Sequence, residues 1–334
     1  MSDSNAVTAR QRCACSAPAR RLCDDCESLG ATFIACSLAC LDRHRSEAHG
    51  QLDADSVTRA RSRIREENRR AESERQIDLE HRQRLMSLIA ELPQGDALCV
   101  FAAGNADELD LERLASHFRE VHLVDLDAET LARARERLTA AVRSKIVLHE
   151  GLDASGLLEH LDAWGDCFPE RAELARVATE AAQSIVHGLG ATFPAVISAC
   201  ALSRFALPFQ RAWLSSRSHW TALLGTMRAI HLATLAGAAR SGGRCSLAFD
   251  VASSREMPAL AEQRQRAPDE LSEFVHDALD AGVLHLRPDP GMLIEQLASP
   301  GMRALVSEPR LSDPWLRQRD AETELVYGLI FDRP

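Results

Sequence analysis

Lysine is nearly absent from this chain. Lys145 is the only one, so arginine carries almost all of the positive charge. With abundant alanine, that bias indicates a GC-rich bacterial genome and says nothing about chemistry. No run of about 18 apolar residues occurs, which excludes a membrane-spanning helix on hydropathy. The opening stretch MSDSNAVTARQRC lacks the apolar core of a secretory leader, so a cytoplasmic protein is expected. A basic surplus is missing too, since the formal net charge is −10. Residues 1–92 balance at 15 basic and 15 acidic side chains, leaving 24 against 34 in residues 93–334. Such a surface repels polyanions, and nucleic acid is not an expected partner. What remains is a 334-residue chain, 46% hydrophobic and 26% charged, long enough for one large domain and a small one.

Six of the ten cysteines fall between Cys13 and Cys40, followed by His44 and His49. They run Cys13-x-Cys15, Cys23-x2-Cys26 and Cys36-x3-Cys40. In a reducing compartment, such close pairs favour metal ligation over disulfides. A Cys and a His three or four residues apart on a helix project from one face. Structural zinc takes four N/S ligands in a closed tetrahedron, so eight candidates make two sites. A disulfide-bonded lobe and a finger holding one metal are the alternatives. So short a segment cannot build a sufficient core, and metal binding would supply its folding energy, on the order of 10 kcal/mol per site.

CSLACLDRH, Cys36 to His44, resembles the end of a HIT-type zinc finger, and the whole segment is similar to HIT-type and MYND-type fingers. The resemblance implies interleaved ligation: Cys13, Cys15, Cys36 and Cys40 on one zinc, and Cys23, Cys26, His44 and His49 on the other. It departs from those families in its C-x-C first pair and in ending on His49 where they have cysteine. Fingers of these families contact proteins, so the implied role is docking of a protein partner.

Residues 55–92 contain neither Gly nor Pro and alternate in charge, with Pro93 and Gly95 closing the run. Apolar residues are sparse until Leu85, Leu88, Ile89 and Leu92. The pattern predicts a mostly solvated helix, capped near Asp55 or Ser56, whose last turns dock on the next domain. It reads as a spacer. The expected organisation is a finger over 1–51, a charged helical linker over 52–92 and an α/β domain over 93–334.

From residue 97 the texture changes. ALCVF, VHLVDL, KIVLHE, AVISAC and RCSLAF read as five strands with helical patterns between them, and TELVYGLIF as a last strand paired antiparallel with RALVSE. This is a doubly wound, mostly parallel sheet. Its ligands sit beyond the carboxyl ends of the strands. The first strand ends in the small-residue turn Ala102-Ala103-Gly104-Asn105, and the second ends at Asp125, about 20 residues on. An acid so placed accepts hydrogen bonds from ribose hydroxyls. Nicotinamide enzymes share both features.

The ordered motifs resemble the class I S-adenosylmethionine-dependent methyltransferases, over residues 96–334. LCVFAAGNA stands where that family has G-x-G-x-G, with Ala102 and Ala106 in place of the first and third glycines. Each methyl narrows the turn and disfavours positive φ, although an alanine at the first position can take an ordinary strand conformation. The resemblance implies a Rossmann-like methyltransferase fold with an antiparallel last strand. It places Asp125 on the ribose and Leu126 beside the adenine, Asp153 at the adenine amino group with Ala154 nearby, and Ser198 and Ala199 on the methionine side.

Simpler roles stand beside these. Asp125 could cap the helix that starts near Ala128, with Asp127 better placed for it, Asp153 could cap one at Ala154, and Asp107, Glu108 and Asp110 favour the dipole of a helix's first turn. His187, His219 and His231 read as structural histidines, with His231 the candidate base; Cys99, Cys200 and Cys245 read as small core residues. Trp213, Trp220 and Trp315 read as core or as the wall of an apolar pocket. The Asn/Asp-Pro-Pro-aromatic motif that marks methylation of planar amino groups in the family this chain resembles does not follow the fourth strand, so the resemblance implies an acceptor other than a base or glutamine. The sequence therefore leads to methyl transfer from S-adenosylmethionine to an unnamed acceptor, with two structural Zn2+ ions in a docking finger. The competing class is a zinc-finger interaction protein with a non-catalytic methyltransferase-like domain.

Overall fold

A computed structural model of the chain describes residues 10–12, 21–22, 26, 32–37, 40–41, 43–44, 56–73, 78–164, 168–205, 217–319 and 321–334. At the amino end, β1 (Arg10–Arg12) and β2 (Arg21–Leu22) flank β3 (Thr32–Ala35), the first parallel and the second antiparallel to it. Phe33, Ala35, Leu41 and Cys26 form a core of their own there.

The main sheet has eight strands: β4 (Gly95–Phe101), β5 (Phe118–Asp125), β6 (Ile146–Glu150), β7 (Phe193–Ala199), β8 (Ala239–Ser253), β9 (Ser307–Leu311), β10 (Trp315–Arg319) and β11 (Glu322–Asp332). The order is β6-β5-β4-β7-β8-β11-β10, with β9 also on β11. Strands β4 to β8 are mutually parallel, and β11 inserts antiparallel between β8 and the β9/β10 edge. The chain runs outward from β4 to β6 and then returns to the other side of β4. The strand order therefore reverses between β4 and β7, where a crevice opens beyond the carboxyl ends.

Alternation along β4 builds both layers. Cys99 and Phe101 join one core with α5 (Arg171–Leu189) and α6 (Arg217–Ala238). Leu98 and Val100 join the other with α2 (Leu79–Ala90), α3 (Leu111–His117) and α4 (Ala128–Glu136). Each fully buried Leu or Phe contributes about 1.5–3 kcal/mol. All five parallel strands lie where the apolar runs place them. The last pairing differs: Ser307–Leu311 meets β11, not all of RALVSE, and most of the edge is Trp315–Arg319.

The linker also differs from a spacer. It forms two helices, α1 (Ser56–Ser73) and α2, the second starting afresh because Asp78 accepts the His81 N–H as its N-cap. Helix α1 is exposed along most of its length, but Ile64 packs on the main core and Asn68 is buried. Among the described residues no helix is long and apolar enough to cross a membrane.

Candidate functional site

The turn after β4 is built from alternating conformations. Ala102, Gly104 and Ala106 have φ of +50°, +51° and +52°, all in the left-handed region. Ala102 thus does not take the strand conformation open to it, because the chain must turn sharply into the crevice. Two methyl-bearing residues held there cost about 1–2 kcal/mol each. The turn is fastened from β5. Asp125 Oδ2 accepts the Gly104 N–H at 2.8 Å and Oδ1 accepts the Asp127 N–H at 2.9 Å. Asp125 is only 8% exposed, and burial pushes its pKa up against those two hydrogen bonds. Helix capping falls to Asp127, whose Oδ1 faces the Thr130 N–H at 3.4 Å. Burial of Asp127 is outweighed by hydrogen bonds from Thr130 and Asn68 and by Arg65, so its pKa falls.

Helix α1 lies across this turn. Asn68 donates from Nδ2 to Asp127 Oδ2 at 3.2 Å, and its carbonyl accepts from Asn105 Nδ2 at 2.8 Å. A Cβ built on Gly104 would sit 3.3 Å from Arg204 Nη1 and 3.8 Å from Asn68 Oδ1. Both neighbours are ends of flexible side chains, so the open face of the glycine is bordered by groups that can move aside.

The remaining predicted positions spread along the strand ends. Asp153 folds its own turn, accepting from Ser155 N and Oγ on Oδ1 and from Leu158 N on Oδ2 at 2.9 Å. Ala154 is buried and Leu126 packs against the same core. Ser198 is fully buried and bonded at 2.9 Å to His231 Nε2, while Ala199, Ala102, Ala103 and Asn105 line the cavity. His231 packs edge-on to Phe101 and Phe205, and burial lowers its pKa to about 3. It is a neutral core residue, not a base facing the crevice. His187 is exposed at the end of α5, and His219 stacks on Phe168. Cys99, Cys200 and Cys245 are buried, and burial raises each thiol. Trp315 is core, Trp220 half-buried, and Trp213 lies outside the described residues.

A cavity of about 610 Å³ opens beside the turn, between α1, the 102–109 loop, Ala199, Arg204 and the β10–β11 hairpin. Among the described residues its wall carries charges of both signs and no Phe, Tyr or Trp. Part of that wall is a network the sequence did not reveal. Arg317, 2% exposed, donates to Glu324 Oε2 at 2.6 Å and to Glu108 Oε1 at 2.8 Å. Arg204 approaches Glu108 at 3.5 Å. Burial raises Glu108, but Arg317, His81 and Arg204 outweigh it and hold the carboxyl well below its usual range. Helix α3 begins at Leu111 with Asp110 as its cap, so Asp107 and Glu108 precede the helix.

His81, Glu108 and Cys200 bring a nitrogen, an oxygen and a sulfur within 4.8 Å of one another. They do not suit a metal. Trp315 Nε1 can only donate, and it bonds His81 Nδ1 at 3.0 Å. The neutral ring therefore carries its proton on Nε2, which faces Glu108 Oε2 at 3.6 Å. A ligating histidine has the opposite arrangement, donating from its second nitrogen.

In the cysteine-rich segment, Cys13, Cys15, Cys23 and His49 lie outside the described residues. The other four form two pairs: Cys36 Sγ and Cys40 Sγ are 3.3 Å apart, and Cys26 Sγ and His44 Nε2 are 3.1 Å apart. His44 also stacks on Phe33 at 3.5 Å. Thiol and imidazole groups are the donor types that structural zinc takes.

No protein-family model and no curated protein matches the chain. Solved structures are similar at a distance. An S-adenosylmethionine-dependent methyltransferase from Anabaena variabilis is 14% identical, over 84% of this chain and 96% of its own, with a TM-score of 0.42. A complex described as DhpI-SAM-HEP is 12% identical, over 85% and 100%, at 0.39. A TehB-like methyltransferase from Corynebacterium glutamicum is 12% identical, over 82% and 98%, at 0.38. Likenesses this distant assign neither cofactor nor activity to this chain.

Proposed function

We propose that the chain is an S-adenosylmethionine-dependent methyltransferase whose cysteine-rich segment is a structural two-zinc finger that docks a protein. One observation carries the first half: strand order and turn coincide. The sheet runs β6-β5-β4-β7-β8-β11-β10 with an antiparallel last strand, and a left-handed turn around Gly104 is tied to the acid ending β5. Bound S-adenosylmethionine would supply a methyl group on a sulfonium, open to in-line displacement.

The chain's part is mainly alignment, worth more here than acid–base chemistry. Gly104 lets backbone approach the nucleoside, with Ala102, Ala103 and Asn105 around it. Asp125 and Asp127 present carboxylates to the ribose side, and Leu126, Asp153 and Ala154 border the base. Ala199 faces the methionine side, with Ser198 behind it in the core. No general base is assigned, since one is needed only where the acceptor loses its proton early. The mixed-charge cavity wall suits a polar acceptor better than a planar aromatic one. The finger's four described ligand candidates support metal binding, and a closed ligand set leaves it a structural role.

Titration calorimetry of the zinc-loaded protein with S-adenosylmethionine and S-adenosylhomocysteine tests this. One-site binding in the micromolar range is the expected outcome. Absence of heat at several temperatures, together with absence of a thermal shift, would favour the second reading, a zinc-finger scaffold whose α/β domain no longer turns over. The methyls of Ala102 and Ala106 at positive φ are what favour that alternative.

A further inference from the structure

We infer that helix α1 is a plug on the nucleoside crevice, with Asn68 standing where a ribose would bind; this rests on the cofactor reading above. The polar groups that Asn68 engages are those a sugar's hydroxyls would use. Its side-chain amide donates to Asp127 Oδ2, its main-chain carbonyl takes the Asn105 side chain, and its Oδ1 is one of two atoms nearest the open face of Gly104. The residue is 9% exposed and is the one buried side chain among those described on this helix.

One turn further on, Glu72 clamps the helix down. Its carboxylate pairs with Arg133 Nε at 2.9 Å and with Arg137 Nη1 at 3.5 Å. Arg137 in turn donates to the Asn105 carbonyl at 2.5 Å and pairs with Asp107 at 3.3 Å. The clamp and the turn therefore share one guanidinium. Helix α1 lifted at Glu72 frees Asn105 and Asp127 together, and the crevice alternates between an Asn68-filled and a ligand-filled state.

The test uses the full-length, zinc-loaded protein with S-adenosylhomocysteine as probe. Glu72→Arg turns two attractions into repulsions, and Asn68→Ala removes the plug while keeping a strong helix former. Stopped-flow binding and hydrogen–deuterium exchange of residues 56–73 are read on each. The association rate should rise about tenfold in both variants, as loss of two part-buried ion pairs or of the buried Asn68–Asp127 hydrogen bond implies. Exchange over 56–73 should quicken in Glu72→Arg, and the probe should quicken it in the wild type as the helix is displaced. Binding by the variants alone would be the strongest support. Unchanged rates despite faster exchange would overturn the plug and leave the cofactor reading standing. No binding by any of the three proteins, each folded by circular dichroism, would overturn both. If Glu72→Arg does not fold, Asn68→Ala decides alone: an unchanged association rate overturns the plug.

Discussion

Arg317→Met should be among the most damaging substitutions in the large domain, and its cost should depend on pH. The guanidinium is buried and holds Glu324 and Glu108 directly, with Asp250 at 4.0 Å. Removing one partner of a buried charge pair costs about 3–5 kcal/mol, because the other charge stays behind without compensation. In the wild type, Glu108 is held below its ordinary value of 4.5, so its stabilisation is present above that pH and is lost as pH falls through the folded value. In the variant the stranded acids are pushed up by burial. The folded state then binds more protons than the unfolded one, and stability declines as pH rises. The deficit should therefore be largest at neutral pH and shrink towards pH 4. Urea unfolding followed by tryptophan fluorescence at several pH values measures it. Replacing Glu108 and Glu324 by Gln in the same protein should recover much of the loss. A deficit under about 1 kcal/mol at pH 7, or one independent of pH, would refute a desolvated network.

Three other outcomes are expected. Ala102→Gly should stabilise the protein by about 0.5–1 kcal/mol, since relief at positive φ exceeds glycine's entropic loss; a lower denaturation midpoint would contradict the left-handed turn. His231 has its pKa lowered from 6.5 to about 3, so its contribution is present above pH 6.5 and falls as the unfolded chain takes up the proton. Going from pH 7 to pH 5 should cost about 2 kcal/mol from this residue, and His231→Phe should flatten that slope. Elemental analysis should find about two zinc per chain, with Cys36→Ser losing about one and unfolding the finger ahead of the α/β domain.

The parallel sheet was legible because its central strands are buried on both faces and read as short apolar runs. WLRQR was not, since two arginines and a glutamine in five residues describe a loop; Arg317 is buried only because Glu108, about 200 residues earlier, and Glu324, across the hairpin, meet it. The same non-locality hid the second role of the linker. Periodicity finds apolar faces, and Asn68 and Glu72 mark a polar one whose partners lie 37 to 65 residues away. At the candidate site the sequence located the strand ends correctly and could not apportion the acids between capping and binding. Asp127 and Asp110 cap helices, Asp153 caps a turn, and Asp125 fastens the neighbouring loop.

That apportioning changes how the site should be probed. Asp125→Ala looks like a direct test of a ribose contact, yet both carboxylate oxygens already hold backbone N–H groups. Its removal leaves the Gly104 and Asp127 N–H groups buried without acceptors, a cost of about 1–3 kcal/mol each, and releases a turn that includes two strained alanines. Lost affinity in that variant would follow from a collapsed turn as readily as from a missing contact. Asp125→Asn is the milder change: the side-chain oxygen keeps one of the two N–H groups, and only the one facing the amide nitrogen loses its acceptor. Affinity lost with an unchanged exchange pattern over 102–106 would then identify the second carboxylate oxygen as a ligand to the cofactor. Affinity retained would leave Asp125 as the fastener of the turn and shift the ribose to Asp127, the carboxylate that Asn68 now occupies.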